Sequence, residues 1–183
     1  EIENRRYLED DEFNSDLGFR AAKEAIYDAK INQEDLDYII YASNFGEVDT
    51  NGMTNFMPSM SARVKNKLGI KNRNCVNYDM IFGCPGWVEA MILADTLIKA
   101  KKAKLILVVG SETLSRVTDA FDRNKMIFAD GAGAVVVQAT DQKNVGIIAD
   151  VTVCDNGEEL NYLEHAPSLK KDEDRTKLYI RMH

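Results

Sequence analysis

The residue with the clearest chemical potential is Cys84, in the run Gly83-Cys84-Pro85-Gly86 before an apolar helical segment. Proline favours the first helical position, so Pro85 predicts that Cys84 is the N-cap residue. A thiol there faces unpaired backbone N–H groups and the positive end of the helix dipole, which favour the thiolate. Gly83 and Gly86 are small enough to leave room for a substrate beside the sulfur. The pattern indicates a cysteine nucleophile, while a buried structural cysteine fits the same spacing.

Acyl transfer by a cysteine also needs a proton acceptor and an oxyanion hole. The backbone N–H of Cys84 is one candidate donor to an oxyanion. Neither histidine is a good candidate for the base, because His165 lies in an acidic stretch and His183 is the last residue. The sequence therefore predicts the nucleophile but not the rest of an active site.

The three cysteines, Cys75, Cys84 and Cys154, have spacings that suit neither a disulfide framework nor a zinc site. The two histidines are not paired at ligand spacing, so no metal site is expected. Cys75 and Cys154 lack the setting of Cys84 and are predicted to be small buried core residues.

The elements that position Cys84 alternate between strand-like and helical patterns, which predicts an α/β domain built on a mixed sheet. Strands are predicted at 37–43, 75–82, 104–110, 134–139, 145–153 and 178–182, with a loop at 44–56, a turn at 130–133 and an acidic excursion at 155–177. Helices are predicted up to residue 29 behind an N-cap at Ser15 or Asn14, and over 58–68 and 85–101. The first is predicted to turn inward Leu17, Ala21, Ala25 and Ala29, with Ile26 beside them. The third is apolar around most of its circumference, so it is predicted to be buried inside the domain.

Composition limits the class of protein. A chain of 183 residues with 45% hydrophobic and 29% charged residues is expected to fold as one domain with a sizeable core. Its apolar runs are shorter than the roughly 18 residues that span a bilayer, and it shows no signal-peptide pattern, so a soluble cytoplasmic protein is expected. The net charge of −7 disfavours nucleic-acid binding.

An ordered series of motifs runs along nearly the whole chain: Leu17-Gly-Phe-Arg-Ala-Ala22, Leu36 to Ala42, Phe56-Met-Pro-Ser59, Tyr78-Asp79, Cys84-Pro-Gly-Trp87, Val108-Val-Gly-Ser-Glu112, Asp122-Arg123 and Phe128-Ala-Asp-Gly-Ala-Gly-Ala134. Each motif alone is weak, but the series with its spacing is specific. It resembles the β-ketoacyl-acyl-carrier-protein synthase III enzymes of the thiolase superfamily.

The resemblance implies roles for four residues. Cys84 is implied as the nucleophile that accepts an acyl group from acyl-CoA. Arg123 is similar to the arginine that packs against the CoA adenine. Met57 is similar to a residue that crosses a dimer interface to close the partner's acyl pocket, and Phe128 to an aromatic residue of the acyl tunnel. Ordinary surface or core packing is the alternative for Arg123, Met57 and Phe128.

The resemblance also implies a thiolase-like layered α/β fold with a buried helix, in which residues 1–183 form the N-terminal half of a duplicated fold. The opening segment, and the second half with the His and Asn that assist decarboxylation, are expected outside this chain or on an obligate partner. The implied reaction belongs to fatty acid biosynthesis and condenses the acyl group on Cys84 with malonyl-acyl-carrier protein. The implied assembly is a homodimer with no permanently bound cofactor.

Departures from the family pattern leave the acyl chain and pathway open. Phe82-Gly83 and Pro85 flank the cysteine where the family more often has smaller residues, Trp87 replaces a more usual Phe, and the loop at 44–56 is longer than usual. A specialised or long-chain condensing enzyme of polyketide or aryl-lipid type is therefore one alternative. A non-catalytic partner subunit without the His and Asn is another.

Overall fold

The computed structural model describes residues 3–183, in which four of eight strands form one sheet with helices on both faces. The strands are β1 (Tyr38–Ala42), β2 (Glu47–Val48), β3 (Thr54–Asn55), β4 (Val76–Met80), β5 (Leu105–Thr113), β6 (Asp130–Gln138), β7 (Leu163–Pro167) and β8 (Leu178–Met182). The α-helices are α1 (Asn14–Ala29), α2 (Met60–Leu68) and α3 (Gly86–Lys99). Short 3-10 helices cover Gln33–Asp35, Leu114–Val117, Arg123–Ile127 and Glu158–Asn161.

The sheet has the strand order β4-β1-β5-β6. β1 pairs in parallel with both β4 and β5, and β6 pairs antiparallel with β5. β1 and the first part of β5 are continuously apolar and buried, as expected for strands covered on both faces. The predicted α/β class and mixed sheet are confirmed.

One face of the sheet packs against α1 and α2. The buried helical residues of this layer are Ala22, Ile26, Met60, Val64 and Leu68. α2 begins after Ser59, whose hydroxyl accepts a hydrogen bond from the Ala62 N–H at 3.3 Å, and ends at Gly69 with a φ of 74°. The inward residues and the stop of α2 match the prediction, although the helix starts two residues later than expected.

α1 turns a different set of residues to the sheet from the one predicted. Ile26 is buried as predicted, but the other buried positions on this face are Gly18 and Ala22. The predicted Leu17, Ala21 and Ala25 are only half-buried, and Ala29 is exposed. Polar contacts at the start of the helix set this rotation. The side-chain amide of Asn14 donates to the Gly46 carbonyl at 2.8 Å, and the Ser15 hydroxyl donates to Glu47 at 2.7 Å. Both residues are therefore inside the helix, and Phe13 is the N-cap residue.

α3 packs on the other face of the sheet through three small buried residues, Gly86, Ala90 and Ala94. Its opposite side is open within residues 3–183, where Val88 is 52% exposed. The prediction that α3 is buried inside the domain is therefore wrong for the described residues, because only one side of the helix meets the sheet.

Four stretches outside the main helices differ from their predictions. The predicted turn at 130–133 is already strand, because it pairs with the end of β5. The predicted strand at 145–153 does not form, and within residues 3–183 no strand lies beside it to share hydrogen bonds. β2 and β3 form a hairpin in the predicted loop, and β7 lies in the acidic excursion. None of the helices in residues 3–183 is both long enough and apolar enough to cross a bilayer.

Candidate active site

Cys84 occupies a β-turn between the end of β4 and the start of α3. The Gly86 N–H donates to the Gly83 carbonyl at 2.8 Å, which closes the turn. Pro85, with φ −80° and ψ 3°, is the N-cap residue, and the Glu89 N–H donates to its carbonyl at 3.0 Å. The prediction that Cys84 is the N-cap residue is therefore wrong by one position, because the helical hydrogen bonds begin at the proline. The Cys84 side chain is exposed.

Cys84 lines a largely apolar cavity of about 380 Å³. Ligand sites in open α/β sheets lie at the carboxyl ends of the strands, where β1, β4 and β5 end here. The cavity wall combines residues that follow β1, the Cys84 turn, the ends of β5 and β6 that pair with each other, and the β7–β8 hairpin. Its volume falls in the range of small-molecule sites.

Two glycines beside Cys84 have different functions in the packing. A side chain at Gly83 would meet nothing within 4 Å, so the space beside the sulfur is open on this side. A Cβ at Gly86 would lie 3.0 Å from the Cβ of Phe82 and 3.4 Å from that of Ala42. Gly86 therefore lets α3 approach the end of β1, and the prediction that it leaves room for a substrate is wrong.

The backbone N–H of Cys84 makes no hydrogen bond within the part of the chain that the structure describes. This N–H group begins the turn that leads into α3, beside the sulfur of the same residue. The group is free to donate to an oxygen that develops negative charge when a thiolate attacks a carbonyl. The sequence-based prediction of this donor is consistent with the geometry.

Glu112, near the end of β5, is the charged residue in the wall of this cavity. Its carboxyl accepts a hydrogen bond from the Asn44 N–H and also contacts the Phe45 N–H and the Ser43 hydroxyl. The Oε2 atom is buried without a partner among residues 3–183. Burial raises the pKa of Glu112 to about 7, and the three hydrogen bonds oppose that rise. The carboxyl therefore titrates near neutral pH and holds the turn after β1.

We expect a Glu112→Gln variant to gain stability relative to the wild type as the pH rises. The pKa of this carboxyl is about 7 in the folded protein and near 4.5 in the unfolded chain. Below the lower value the carboxyl is protonated in both the folded and the unfolded state, so its titration does not affect stability. Above the higher value the folded wild type holds a buried charge, which lowers its free energy of unfolding, whereas the variant has no such charge. Between pH 4.5 and 8 the difference in free energy of unfolding, measured by urea denaturation, should move by about 3 kcal/mol in favour of the variant. A pH-independent difference would contradict the raised pKa.

The four residues singled out by the sequence do not all lie together. Phe128 lines the same cavity as Cys84. Met57 is 83% exposed in the loop after β3 and lines neither this cavity nor a second one beside it. Arg123 is exposed at the start of a 3-10 helix. The structure thus brings two of the four residues together in one chain, and the roles of all four stay predictions.

The other cysteines and the histidines lie outside the Cys84 cavity. Cys75 is 1% exposed, as predicted, and burial raises the pKa of its thiol. Cys154 is exposed, so its prediction as a core residue is wrong, since the strand predicted at 145–153 does not form before it. His165 stacks on Phe45 with ring centroids 4.9 Å apart, and His183 lies 2.9 Å from a Glu164 carboxylate oxygen. Neither histidine lines the cavity that holds Cys84.

Glu112 and Phe45 were missed as site residues, although Glu112 falls within a motif of the series. The available signal was a carboxylate at the end of a long apolar strand, a position that opens onto ligand sites in parallel sheets. Phe45 gave no such signal, because packing explains an aromatic residue in a polar loop as readily as a role in a functional site does.

The family model for 3-oxoacyl-[acyl-carrier-protein (ACP)] synthase III matches residues 78–156, which include Cys84 and Glu112. The chain is 41% identical over 145 residues to beta-ketoacyl-[acyl-carrier-protein] synthase III 1 of Vibrio vulnificus (strain YJ016), which covers 79% of this chain and 43% of that protein. It is 38% identical over 163 residues to the synthase III of Sulfurovum sp. (strain NBC37-1), covering 88% and 45%. The crystal structure of the synthase III from Aquifex aeolicus VF5 has a TM-score of 0.78 at 34% identity, covering 97% and 51%. The chain spans about half the length of the relatives it matches.

Proposed function

Because this chain belongs to the β-ketoacyl-acyl-carrier-protein synthase III family, with its thiolase-like fold, we propose that it carries the nucleophile of a condensing acyltransferase. The Cys84 thiolate attacks the carbonyl carbon of an acyl-CoA, and the C–S bond to CoA breaks to leave an acyl-cysteine thioester and free CoA. Malonyl-acyl-carrier protein then loses CO2, and its enolate carbon attacks the thioester. The Cys84 thiolate leaves, and the product is a β-ketoacyl-acyl-carrier protein.

The observation that carries this proposal is the exposed Cys84 thiol in the wall of an apolar cavity of about 380 Å³. An acyl chain gains free energy by leaving water for such a surface. The free N–H of Cys84 suits the oxyanion of the tetrahedral intermediate. This scheme transfers an acyl group from CoA to the Cys84 sulfur and then to an enolate carbon that decarboxylation generates, so it requires no resident cofactor.

The remaining roles belong to the same proposal. Phe128 packs against the acyl chain in the Cys84 cavity. Arg123 contacts the adenine of CoA from the exposed surface, and Met57 reaches across the interface of a homodimer to the partner's acyl cavity. The enzyme acts in the cytoplasm on acyl-CoA and acyl-carrier protein, in fatty acid biosynthesis.

The test is covalent labelling of the complete protein. Incubation with radiolabelled acetyl-CoA and with longer acyl-CoAs should add one acyl group, and peptide mass spectrometry should place it on Cys84. Addition of malonyl-acyl-carrier protein should then remove the label and release CO2. A protein that accepts no acyl group from any of these substrates would contradict the proposal and favour a non-catalytic partner subunit.

A second half of the fold is proposed to cover the open side of α3. Val88 is exposed there, and the side chain of Thr152 contacts Glu89 at 2.9 Å, so the exposed segment 145–153 borders the same surface. Ile148 and Val151 in that segment are 91% and 84% exposed. Monomeric proteins rarely leave contiguous apolar surfaces of this kind in water.

We expect Val88→Asp to destabilise the complete protein by about 2 kcal/mol, because the new carboxylate would be buried without a partner. Tyr27→Asp is the matched control, since Tyr27 is an exposed aromatic residue on α1 and is 82% exposed. The control should stay within about 0.5 kcal/mol of the wild type in urea denaturation. Equal and small effects of both variants would show that the α3 surface is not covered.

A further inference from the structure

A second cavity of about 380 Å³ adjoins the one that holds Cys84. The two cavities share four wall residues, Asn44, Phe45, Leu163 and Ile180. Phe56 and His165 line the second cavity only. The shared wall is mostly apolar, so an alkyl chain that passed from one cavity to the other would contact apolar side chains where the cavities meet.

Phe45 is held firmly in the wall between the cavities. Its side chain is 7% exposed, and it belongs to a buried cluster with Val48, Val117 and Ile180. Its ring stacks on His165 at a centroid distance of 4.9 Å and an interplanar angle of 32°. The N–H of the preceding residue, Asn44, donates to the Glu112 carboxyl. Contacts to the ring of Phe45 and to the adjacent backbone therefore hold this residue in the wall between the two cavities.

We propose that Phe45 determines which acyl chains this protein accepts, by closing the far end of the Cys84 cavity against the second cavity. This inference rests on the proposed acyl transfer to Cys84. With Phe45 in place, the acyl chain on Cys84 ends at the aromatic ring, and short chains are the substrates. Removing the ring joins the cavities, and the distal carbons of a longer chain enter the space beside His165.

The expected effect follows from the free energy of burying methylene groups. Each CH2 removed from water contributes roughly a fourfold change in an equilibrium or rate constant. A chain that reaches two or more methylenes further into the joined cavities should therefore gain about tenfold or more. A loss of packing alone would lower the rates for all chain lengths together and leave their ratio unchanged.

The experiment measures kcat/KM for acylation of Cys84 with acyl-CoAs of two to twelve carbons, in the complete protein. We expect Phe45→Ala to raise the ratio of dodecanoyl-CoA to hexanoyl-CoA by about tenfold or more over the wild type. Phe45→Leu, which keeps most of the buried volume and is the safer variant for folding, should raise the ratio by a smaller factor. A wild type that already prefers dodecanoyl-CoA would overturn the inference.

Val48→Ala is the matched control, because Val48 is fully buried in the same cluster and lines neither cavity. The control should lower stability and keep the wild-type ratio. If both Phe45 variants acylate Cys84 with the wild-type ratio of dodecanoyl-CoA to hexanoyl-CoA, the proposal that Phe45 separates the two cavities is wrong, while the proposed function stands. If the wild type forms no acyl-enzyme with any chain length, the proposed function itself fails.

Discussion

Replacement of Cys84 by alanine is expected to abolish the acyl-enzyme and to slow condensation by about a thousandfold or more. The variant lacks the sulfur that accepts the acyl group, and enzymes without their nucleophile typically lose at least this much activity. The cavity and its binding surface remain, because Cys84 is exposed in a turn and its side chain supports no core packing. Labelling with radioactive acyl-CoA and assay of β-ketoacyl product measure the two effects separately.

The other two cysteines supply the controls for this variant. Cys154→Ala removes an exposed thiol outside the cavity and should leave labelling and turnover unchanged. Cys75→Ala removes a buried thiol beneath α2 and should lower stability without loss of the label. Retention of the label in Cys84→Ala, or its loss in Cys154→Ala, would place the acyl group on another residue and refute the assignment.

Asp79→Ala is expected to cost about 4 kcal/mol in the free energy of unfolding. Asp79 lies in β4, and its two carboxylate oxygens accept hydrogen bonds from the Met60 N–H at 2.7 Å and the Ser61 N–H at 2.8 Å. Both donors are at the start of α2, and Met60 and Ser61 are fully buried. Each hydrogen bond to a charged group contributes about 1.5–3 kcal/mol, and removing the carboxylate leaves both N–H groups without a partner. Chemical denaturation of the complete protein measures the loss.

Asp49→Ala separates this effect from a general loss of carboxylate hydrogen bonds. The Asp49 carboxylate also accepts two backbone hydrogen bonds, from the Asn51 N–H at 2.8 Å and the Met53 N–H at 2.9 Å. These donors lie in an exposed turn, so water can accept their hydrogen bonds when the carboxylate is removed. Its substitution should have a much smaller effect. Asp79→Asn keeps one acceptor oxygen and should fall between Asp79→Ala and the wild type. Equal losses for Asp49→Ala and Asp79→Ala would show that burial of the α2 terminus is not the cause.

The parts of the fold that the sequence predicted well are those with a strong local pattern. The continuous apolar runs of β1 and β5 have a clear cause, since both strands are covered on two faces. The inward residues Met60, Val64 and Leu68 of α2 follow from helical spacing and from the glycine that ends the helix. The turn with Cys84 between β4 and α3 was also predicted, and its proline and glycines are local signals.

The errors arose where distant contacts decide the structure. The rotation of α1 depends on hydrogen bonds from Asn14 and Ser15 to residues 46 and 47, which spacing within the helix does not contain. The segment 145–153 has a strand-like pattern, but a strand needs a neighbouring edge and none lies beside it in residues 3–183. Glu112 contacts the turn after β1 across 68 residues of sequence, a contact that no local pattern contains. Local pattern therefore predicted the nucleophile and left Glu112 and Phe45 in the wall of its cavity unassigned.

The parallel pairing of β1 with β5 sets a lower limit on how much chain must be synthesised before the sheet closes. The Leu105 N–H donates to the Asp37 carboxylate across 68 residues of sequence, and the whole of β1 then pairs with β5 in register. Non-local contacts of this kind slow folding, because loop closure must precede the stabilisation they provide. While the ribosome adds residues 43 to 104, the apolar β1 has no partner on that side. We therefore expect the nascent chain to engage chaperones in this interval, before the Cys84 cavity exists.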